Sequence, residues 1–168
     1  MDLKTKIRDV KDFPKPGIVF KDISPLLADP EARRACIKAM AEHAEGATKV
    51  VGIDSRGFIF GSLLAEHLGI GFVMARKEGK LPAATFRESY ALEYGEDTLE
   101  IHRDGLAEGD KVLLVDDLLA TGGTLAATCR LIEQTGASIQ ACLVVIELAF
   151  LNGRSKLGER PLHAVITY

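Results

Sequence analysis

The sequence predicts an α/β fold in which a mainly parallel, twisted sheet is flanked by helices. Apolar runs at residues 49–53, 70–75, 112–115 and 138–146 have the length of strands, and a parallel sheet buries such strands on both faces. The first and third of these runs are each followed by a polar turn that contains glycine and then by a helical pattern. This order of strand, turn and helix is typical of α/β folds.

Length and charge limit the alternatives. With 168 residues the chain fills one α/β domain, so we expect a single domain over residues 1–168. A net charge of −3 and a pI near 5.8 give no electrostatic footprint for nucleic acid. No apolar run approaches a membrane span, and the first residues lack the apolar core of a secretion signal. We therefore expect no nucleic-acid or membrane partner and a cytoplasmic location.

Cysteine and histidine carry no predicted chemistry. The three cysteines are odd in number and widely spaced, and the four histidines lack metal-ligand spacing. We expect buried free thiols at Cys36, Cys129 and Cys142, and surface or helix-end histidines at positions 43, 67, 102 and 163.

The N-terminal part of the chain is predicted to be extended and then helical. Residues 12–27 hold three of the six prolines, which excludes a long helix or a central strand. They form either an ordered lid or a simple arm packed on the body. Asp29, with proline and glutamate after it, then begins a helix that we expect to run to about Glu45.

The pattern after residues 112–115 predicts a sugar-phosphate site. Asp116 and Asp117 follow a buried strand, and charges at that edge of a parallel sheet are expected to face a polar ligand. The small residues 120–124 then open the helical pattern of 125–134, so backbone N–H groups, two hydroxyls and the helix dipole can converge on a phosphate. The alternative is an Asp-capped turn with ordinary glycine punctuation.

Two further stretches carry candidate anion-binding groups. Residues 54–58 form a second strand-to-helix turn, in which Arg56 is either an anion ligand or half of a surface ion pair. Residues 76–80 hold three cations, which form either an anion site or a solvated cluster.

Residues 81–100 depart from the strand-helix order. Alternating apolar residues and a turn near Gly95 predict a long hairpin, and such an excursion is usually a functional lid. Glu93, judged by position alone, is an outward carboxylate on one arm of this hairpin.

The string at residues 112–124 resembles the phosphoribosyl-pyrophosphate motif of type I phosphoribosyltransferases. Pro-Gly-Ile-Val-Phe-Lys-Asp-Ile, within residues 12–27, is similar to the hood of the adenine-specific members. Residues 54–58 resemble their pyrophosphate loop, and residues 89–95 their mobile catalytic loop. The resemblance covers nearly the whole chain and implies the type I phosphoribosyltransferase fold, with a small N-terminal hood and a flexible β-hairpin loop.

The resemblance also implies a reaction, adenine plus phosphoribosyl pyrophosphate giving AMP plus diphosphate. Glu93 matches the acidic residue of the mobile catalytic loop, which is implied to be catalytic. The implied ribose-phosphate ligands are Asp116, Asp117, Ala120, Thr121, Gly122, Gly123 and Thr124. The implied diphosphate ligands are Ser55, Arg56, Gly57, Arg76, Lys77 and Lys80, with Arg76 often acting from a neighbouring subunit. The implied adenine contacts are Val19, Phe20, Lys21 and Leu148.

Partners and alternatives complete these expectations. The resemblance implies a homodimer, and Mg²⁺ bound mainly through substrate and water, with no direct protein ligand set. One alternative is an enzyme for another base, such as a 6-oxopurine or orotate. The other is a regulator that senses phosphoribosyl pyrophosphate and binds nucleic acid without catalysis.

Overall fold

A computed structural model describes residues 1–92 and 94–168. Contacts within the chain divide it into two compact units, Met1–Ala39 and Met40–Tyr168. None of the described helices is both long and apolar enough to cross a membrane.

The first unit contains a small antiparallel hairpin. β1 (Arg8–Lys11) pairs with β2 (Val19–Asp22). A 3-10 helix, Leu3–Lys6, precedes the hairpin, and α1 (Ser24–Ala28) follows it. Residues 12–27 therefore hold no long helix and no central strand, as the prolines predict, although the sequence pattern does not predict the short helix.

The helix α2 (Pro30–Ala41) begins where the sequence predicts but ends earlier. Two N–H groups of its first turn donate to Asp29 Oδ1 at 2.9 and 3.2 Å, so Asp29 is the N-cap. The prediction that the helix reaches about Glu45 is wrong. Beyond Ala41 two successive N–H groups donate to carbonyls three residues back, because the chain tightens into turns there instead of continuing the helix.

The second unit is built on a seven-stranded sheet in the order β5-β6-β4-β3-β7-β8-β9. Neighbouring strands from β4 to β9 in this order are parallel, and the β5–β6 hairpin joins β4 in antiparallel fashion. The strands are β3 (Lys49–Ile53), β4 (Gly71–Lys77), β5 (Thr85–Ala91), β6 (Glu96–His102), β7 (Lys111–Leu119), β8 (Ser138–Glu147) and β9 (Leu162–Thr167).

Helices pack on this sheet as the α/β prediction requires. α3 (Arg56–Leu68) packs on β3 and β7, and α4 (Gly123–Gln134) packs on β5, β6 and β8. Two 3-10 helices, Ala149–Leu151 and Gly153–Leu157, lie between β8 and β9. Residues 112–115 are fully buried, which confirms that this strand is covered on both faces.

β7 is longer than its apolar run. Hydrogen bonding to β8 continues through the acidic pair, with Asp116 opposite Val144 and Leu119 opposite Glu147. The two carboxylates therefore belong to the strand itself, and neighbouring side chains of a strand point to opposite faces. Asp116 and Asp117 are therefore not part of the turn that follows the strand.

Cysteines and histidines follow the predictions in part. All three cysteines are buried and free, and burial raises the pKa of Cys36 to about 12. His67 is exposed in the last turn of α3. His43 lies just beyond the end of α2. His163 differs from the expectation: it lies half-buried on β9, and its ring stacks on that of His43 with centroids 3.6 Å apart.

This stacked pair predicts a pH-dependent stability. Burial, then the neighbouring His43 and Arg154, lower the pKa of His163 below its ordinary 6.5. As pH falls, the unfolded chain takes up this proton first, so the stability is fully present above about pH 6.5 and declines below it. Thermal midpoints measured from about pH 8 to about pH 5 should fall less steeply for His163→Gln than for the parent.

The matched control is His67→Gln, which removes an exposed histidine outside the stack. It should keep the parental slope. Equal slopes for His163→Gln and the parent would show that the stacked pair does not contribute.

Candidate active site

Residues 120–124, which follow β7, line a small open cavity, and we call them the phosphate turn after the ligand that the sequence predicts for them. The cavity has a volume of ≈ 100 Å³, well above the ~10–15 Å³ that one water needs, so it has room for a group of several heavy atoms such as a phosphate. The first N–H groups of α4 have no acceptor within the helix, so the helix turns its positive end to this space. Its walls are Asp116, Leu118, Leu119, Ala120, Thr121, Gly122, Gly123, Thr124 and Leu125.

Close backbone contact fixes the shape of this turn. Gly122 has φ +87°, and a Cβ there would collide with the carbonyl oxygen of Gly153. In turn, a Cβ on Gly153 would lie 2.5 Å from the carbonyl oxygen of Ala120. The sequence pattern identifies Gly122, but it does not reveal that residue 153 must also be glycine, because the two are neighbours only in the folded chain.

Asp116 and Asp117 make different contacts. The Asp117 side chain is buried, and its Oδ2 lies 2.8 Å from Arg56 Nε. Asp116 lines the cavity, and its Oδ1 accepts the N–H of Asp117 at 2.8 Å. Burial, reinforced by the neighbouring Asp117 charge, raises the pKa of Asp116 well above that of an ordinary aspartate. Asp116 is therefore placed to bind hydroxyl groups, while Asp117 holds an arginine.

The second strand-to-helix turn lies against the first. α3 begins at Arg56, directly after β3 and its turn, and β3 is the neighbour of β7 in the sheet. A Cβ on Gly57 would lie 2.8 Å from the carbonyl oxygen of Val115 and 3.0 Å from Asp116 Oδ1. Only glycine permits this approach. The peptide bond between Asp54 and Ser55 is cis, which no sequence signal predicts.

The predicted cation cluster lies at the end of β4 and beyond, and it divides between two acids. Arg76 Nε lies 3.0 Å from Asp54 Oδ2, and Lys80 Nζ lies 3.5 Å from the same oxygen. Lys77 instead forms an ion pair with Asp97 of β6. That ion pair raises the pKa of Lys77 and lowers the pKa of Asp97. Sequence reasoning missed both acids as partners, since each is more than a dozen residues from its cations.

The predicted hairpin is present as β5 and β6. Tyr90 of β5 lies opposite Asp97, and its hydroxyl is 3.2 Å from Thr124 Oγ1. The hairpin therefore contacts the phosphate turn. Glu93, the predicted catalytic residue, lies outside the described residues.

The predicted adenine contacts fall in both units. In the first unit, Val19 is exposed on β2, Phe20 meets Phe13 edge to face at 5.2 Å, and Lys21 Nζ lies 2.7 Å from Asp9 Oδ1. In the second, the Leu148 N–H donates to the Leu119 carbonyl at 3.0 Å. This bond ties Leu148 to the strand that leads into the phosphate turn.

Comparisons with known proteins show which family the whole chain resembles. The family model described as the phosphoribosyl transferase domain matches residues 22–164. The adenine phosphoribosyltransferase of Nitrosococcus oceani is 53% identical over 168 residues, covering 99% of this chain and 98% of that protein. The crystal structure of the enzyme of the same name from Thermoanaerobacter pseudethanolicus is 46% identical, with a TM-score of 0.95 and coverage of 99% and 98%.

A third relative carries ligands. Adenine phosphoribosyltransferase from Saccharomyces cerevisiae was solved with an imino-altritol bisphosphate and adenine. It is 40% identical, with a TM-score of 0.94, and the match covers 98% of this chain and 96% of that one.

The contact between Gly122 and Gly153 predicts a specific loss of stability. Gly122→Ala should cost about 1–2 kcal/mol for the left-handed backbone and about 1–3 kcal/mol more for the collision. Gly109→Ala is the matched control, because Gly109 has the same φ of +87° and open space around its Cβ position. Free energies of unfolding from urea titration measure both. Equal losses in the two variants would contradict a role for the close approach.

Proposed function

The chain belongs to the adenine phosphoribosyltransferase family, and we propose which of its residues carry out that family's reaction. The enzyme transfers the 5-phosphoribosyl group from phosphoribosyl pyrophosphate to adenine, giving AMP and diphosphate, and it serves purine salvage. The observation that best supports this reaction is the cavity between Asp116 and Thr124. The match to these enzymes extends over nearly the whole chain.

The cavity binds the ribose 5-phosphate in this proposal. Backbone N–H groups and hydroxyls of residues 120–124, together with the positive end of α4, hold the phosphate. Asp116 receives hydrogen bonds from the ribose hydroxyls, as carboxylates do in dinucleotide folds. Asp117 contributes by keeping Arg56 at the rim, where its side chain lies 42% exposed.

The diphosphate lies toward the β3 and β4 turns. Breaking the bond from C1 to the diphosphate builds oxocarbenium character on the ribose and negative charge on the leaving group. Cations that already lie beside the leaving group stabilise that charge. The groups proposed to bind the diphosphate are these cations, Arg56, Arg76, Lys77 and Lys80, together with Ser55 and Gly57.

The donor set fits Mg²⁺ bound through substrate and water. The described residues contain no group of three or more histidine, cysteine or acidic side chains suited to hold a metal. Mg²⁺ keeps several waters and needs few protein ligands when substrate phosphates bind it. Asp116 and Asp117 would therefore hold the ion indirectly, through substrate hydroxyls and water. When bound, the ion neutralises charge on the diphosphate.

Adenine is proposed to contact Val19, Phe20, Lys21 and Leu148. The Lys21 side chain pairs with Asp9, and its main-chain groups are the ones proposed to contact the base. Glu93 then takes part in moving the purine proton as N9 attacks C1.

Three broader assignments complete the proposal. The chain acts as one domain, with a hood over about residues 12–27 and a catalytic loop over about residues 81–100. It forms a homodimer, in which Arg76 serves the neighbouring site. A cytoplasmic location is supported by the three free, buried cysteines, which are typical of a reducing compartment.

Glu93→Ala should lower kcat by roughly 100-fold or more, since general acid–base groups contribute about 10²–10⁴. Affinity for phosphoribosyl pyrophosphate should stay largely intact, because the carboxylate acts on the purine proton. Glu96→Ala, at an exposed position of the same hairpin, is the control and should keep the parental kcat. A comparable loss of substrate binding in Glu93→Ala would remove Glu93 from the catalytic list.

Substrate choice is tested by diphosphate release with a panel of free bases. Adenine should give the largest kcat/KM. A preference for a 6-oxopurine would overturn the base assignment, and ligand-dependent nucleic-acid binding without turnover of any base would overturn catalysis itself.

A further inference from the structure

One lysine of the proposed diphosphate site already has an anionic partner in the chain. Lys77, at the end of β4, forms an ion pair with Asp97 of β6. The Lys77 side chain is 54% exposed and that of Asp97 is 22% exposed, so the pair lies at the surface, where a ligand can reach it. Because each partner shifts the pKa of the other toward its charged form, both are charged at neutral pH.

Asp97 is held in place from a second side. The Tyr90 hydroxyl donates to Asp97 Oδ2 at 3.3 Å and lies 3.2 Å from Thr124 Oγ1. The Tyr90 ring packs against the buried core, so its hydroxyl has a firm support. Asp97 therefore contacts the lysine of one proposed ligand group directly, and it is linked to the threonine of another through Tyr90.

The strand pairing places the side chains of Tyr90 and Asp97 on one face of the hairpin. Tyr90 pairs with Asp97, and the adjacent pair, Ser89 and Thr98, joins its hydroxyls at 2.8 Å. Neighbouring residues of a strand point to opposite faces. Glu96, one residue before Asp97, thus carries the same charge on the opposite face of β6.

We propose that Asp97 is an internal counter-ion that occupies Lys77 in the ligand-free enzyme and competes with diphosphate for it. This inference rests on the proposed function, because it requires diphosphate at Lys77. An exposed ion pair must be broken before the lysine can turn to a new anion, and its cost weakens the binding of that anion. The same competition assists release of diphosphate after the reaction.

The test is the dissociation constant of inorganic diphosphate, measured by calorimetry on the full-length protein. Asp97→Asn should bind diphosphate up to about fivefold more tightly, which corresponds to about 1 kcal/mol for an exposed ion pair. A damaged fold would weaken binding, so the sign separates competition from a structural role. Asp97→Ala, which also removes the acceptor of Tyr90, should shift the constant in the same direction.

Two controls isolate the contact. Glu96→Gln removes the same charge from the opposite face and should leave the dissociation constant near the parental value. In a Lys77→Gln background, Asp97→Asn should have no effect, because the lysine for which the carboxylate competes is gone. If the gain persists in that background, it is a general electrostatic effect and the proposal is overturned.

The outcomes also separate this inference from the proposed function. A parent protein that neither binds diphosphate nor turns over adenine with phosphoribosyl pyrophosphate overturns both. A parent that does both, with unchanged or weaker diphosphate binding in Asp97→Asn, overturns the counter-ion role alone.

Discussion

Close backbone approach at the carboxyl edge of β7 is the constraint on which the site depends. Gly57 lets the start of α3 lie against Val115 and Asp116, and Gly122 lets the phosphate turn lie against Gly153. A side chain at either glycine would push apart elements that must meet for their N–H groups and charges to face one space. Interiors pack too tightly to absorb such a displacement elsewhere. Main-chain contacts therefore determine the shape of the cavity, and the side chains that line it determine which groups it can bind.

Charge at this edge is arranged around acids that are themselves largely buried. Asp117 holds Arg56, and Asp54 holds Arg76 and Lys80. A carboxylate removed from water is costly unless it is paired, so each of these acids keeps its cations beside it. Cations gathered in this way are close to an anionic ligand, which favours electrostatic stabilisation of a leaving group. Asp97 differs, because its own side chain is 22% exposed, so its ion pair with Lys77 is more easily exchanged.

The sequence predicts what local patterns determine and misses what distant residues determine. Short apolar runs predict β3, β4, β7 and β8 and their order with the helices. Burial on both faces explains these runs in β3, β7 and β8, whereas most residues of β4 are only partly buried or exposed. The phosphate turn is likewise readable, since its glycines, hydroxyls and acids are contiguous. Contacts between distant segments cannot be predicted from local patterns. The extension of β7 depends on its pairing with β8, and the acids that pair with Lys77 and Lys80 lie in other segments. The role of Gly153 is hidden for the same reason.

The support behind the phosphate turn also joins it to the proposed base site. Arg154 forms two hydrogen bonds to the buried Glu147, at 2.7 and 2.9 Å, and a third to the Leu162 carbonyl at 3.0 Å. These bonds tie the turn containing Gly153 to the ends of β8 and the start of β9. Leu148 follows Glu147 directly, so the residue proposed to contact the base and the glycine behind the proposed phosphate turn are supported by the same ion pair. Since a buried charge left without its partner is strongly destabilising, a change at Arg154 or Glu147 would disturb both neighbours.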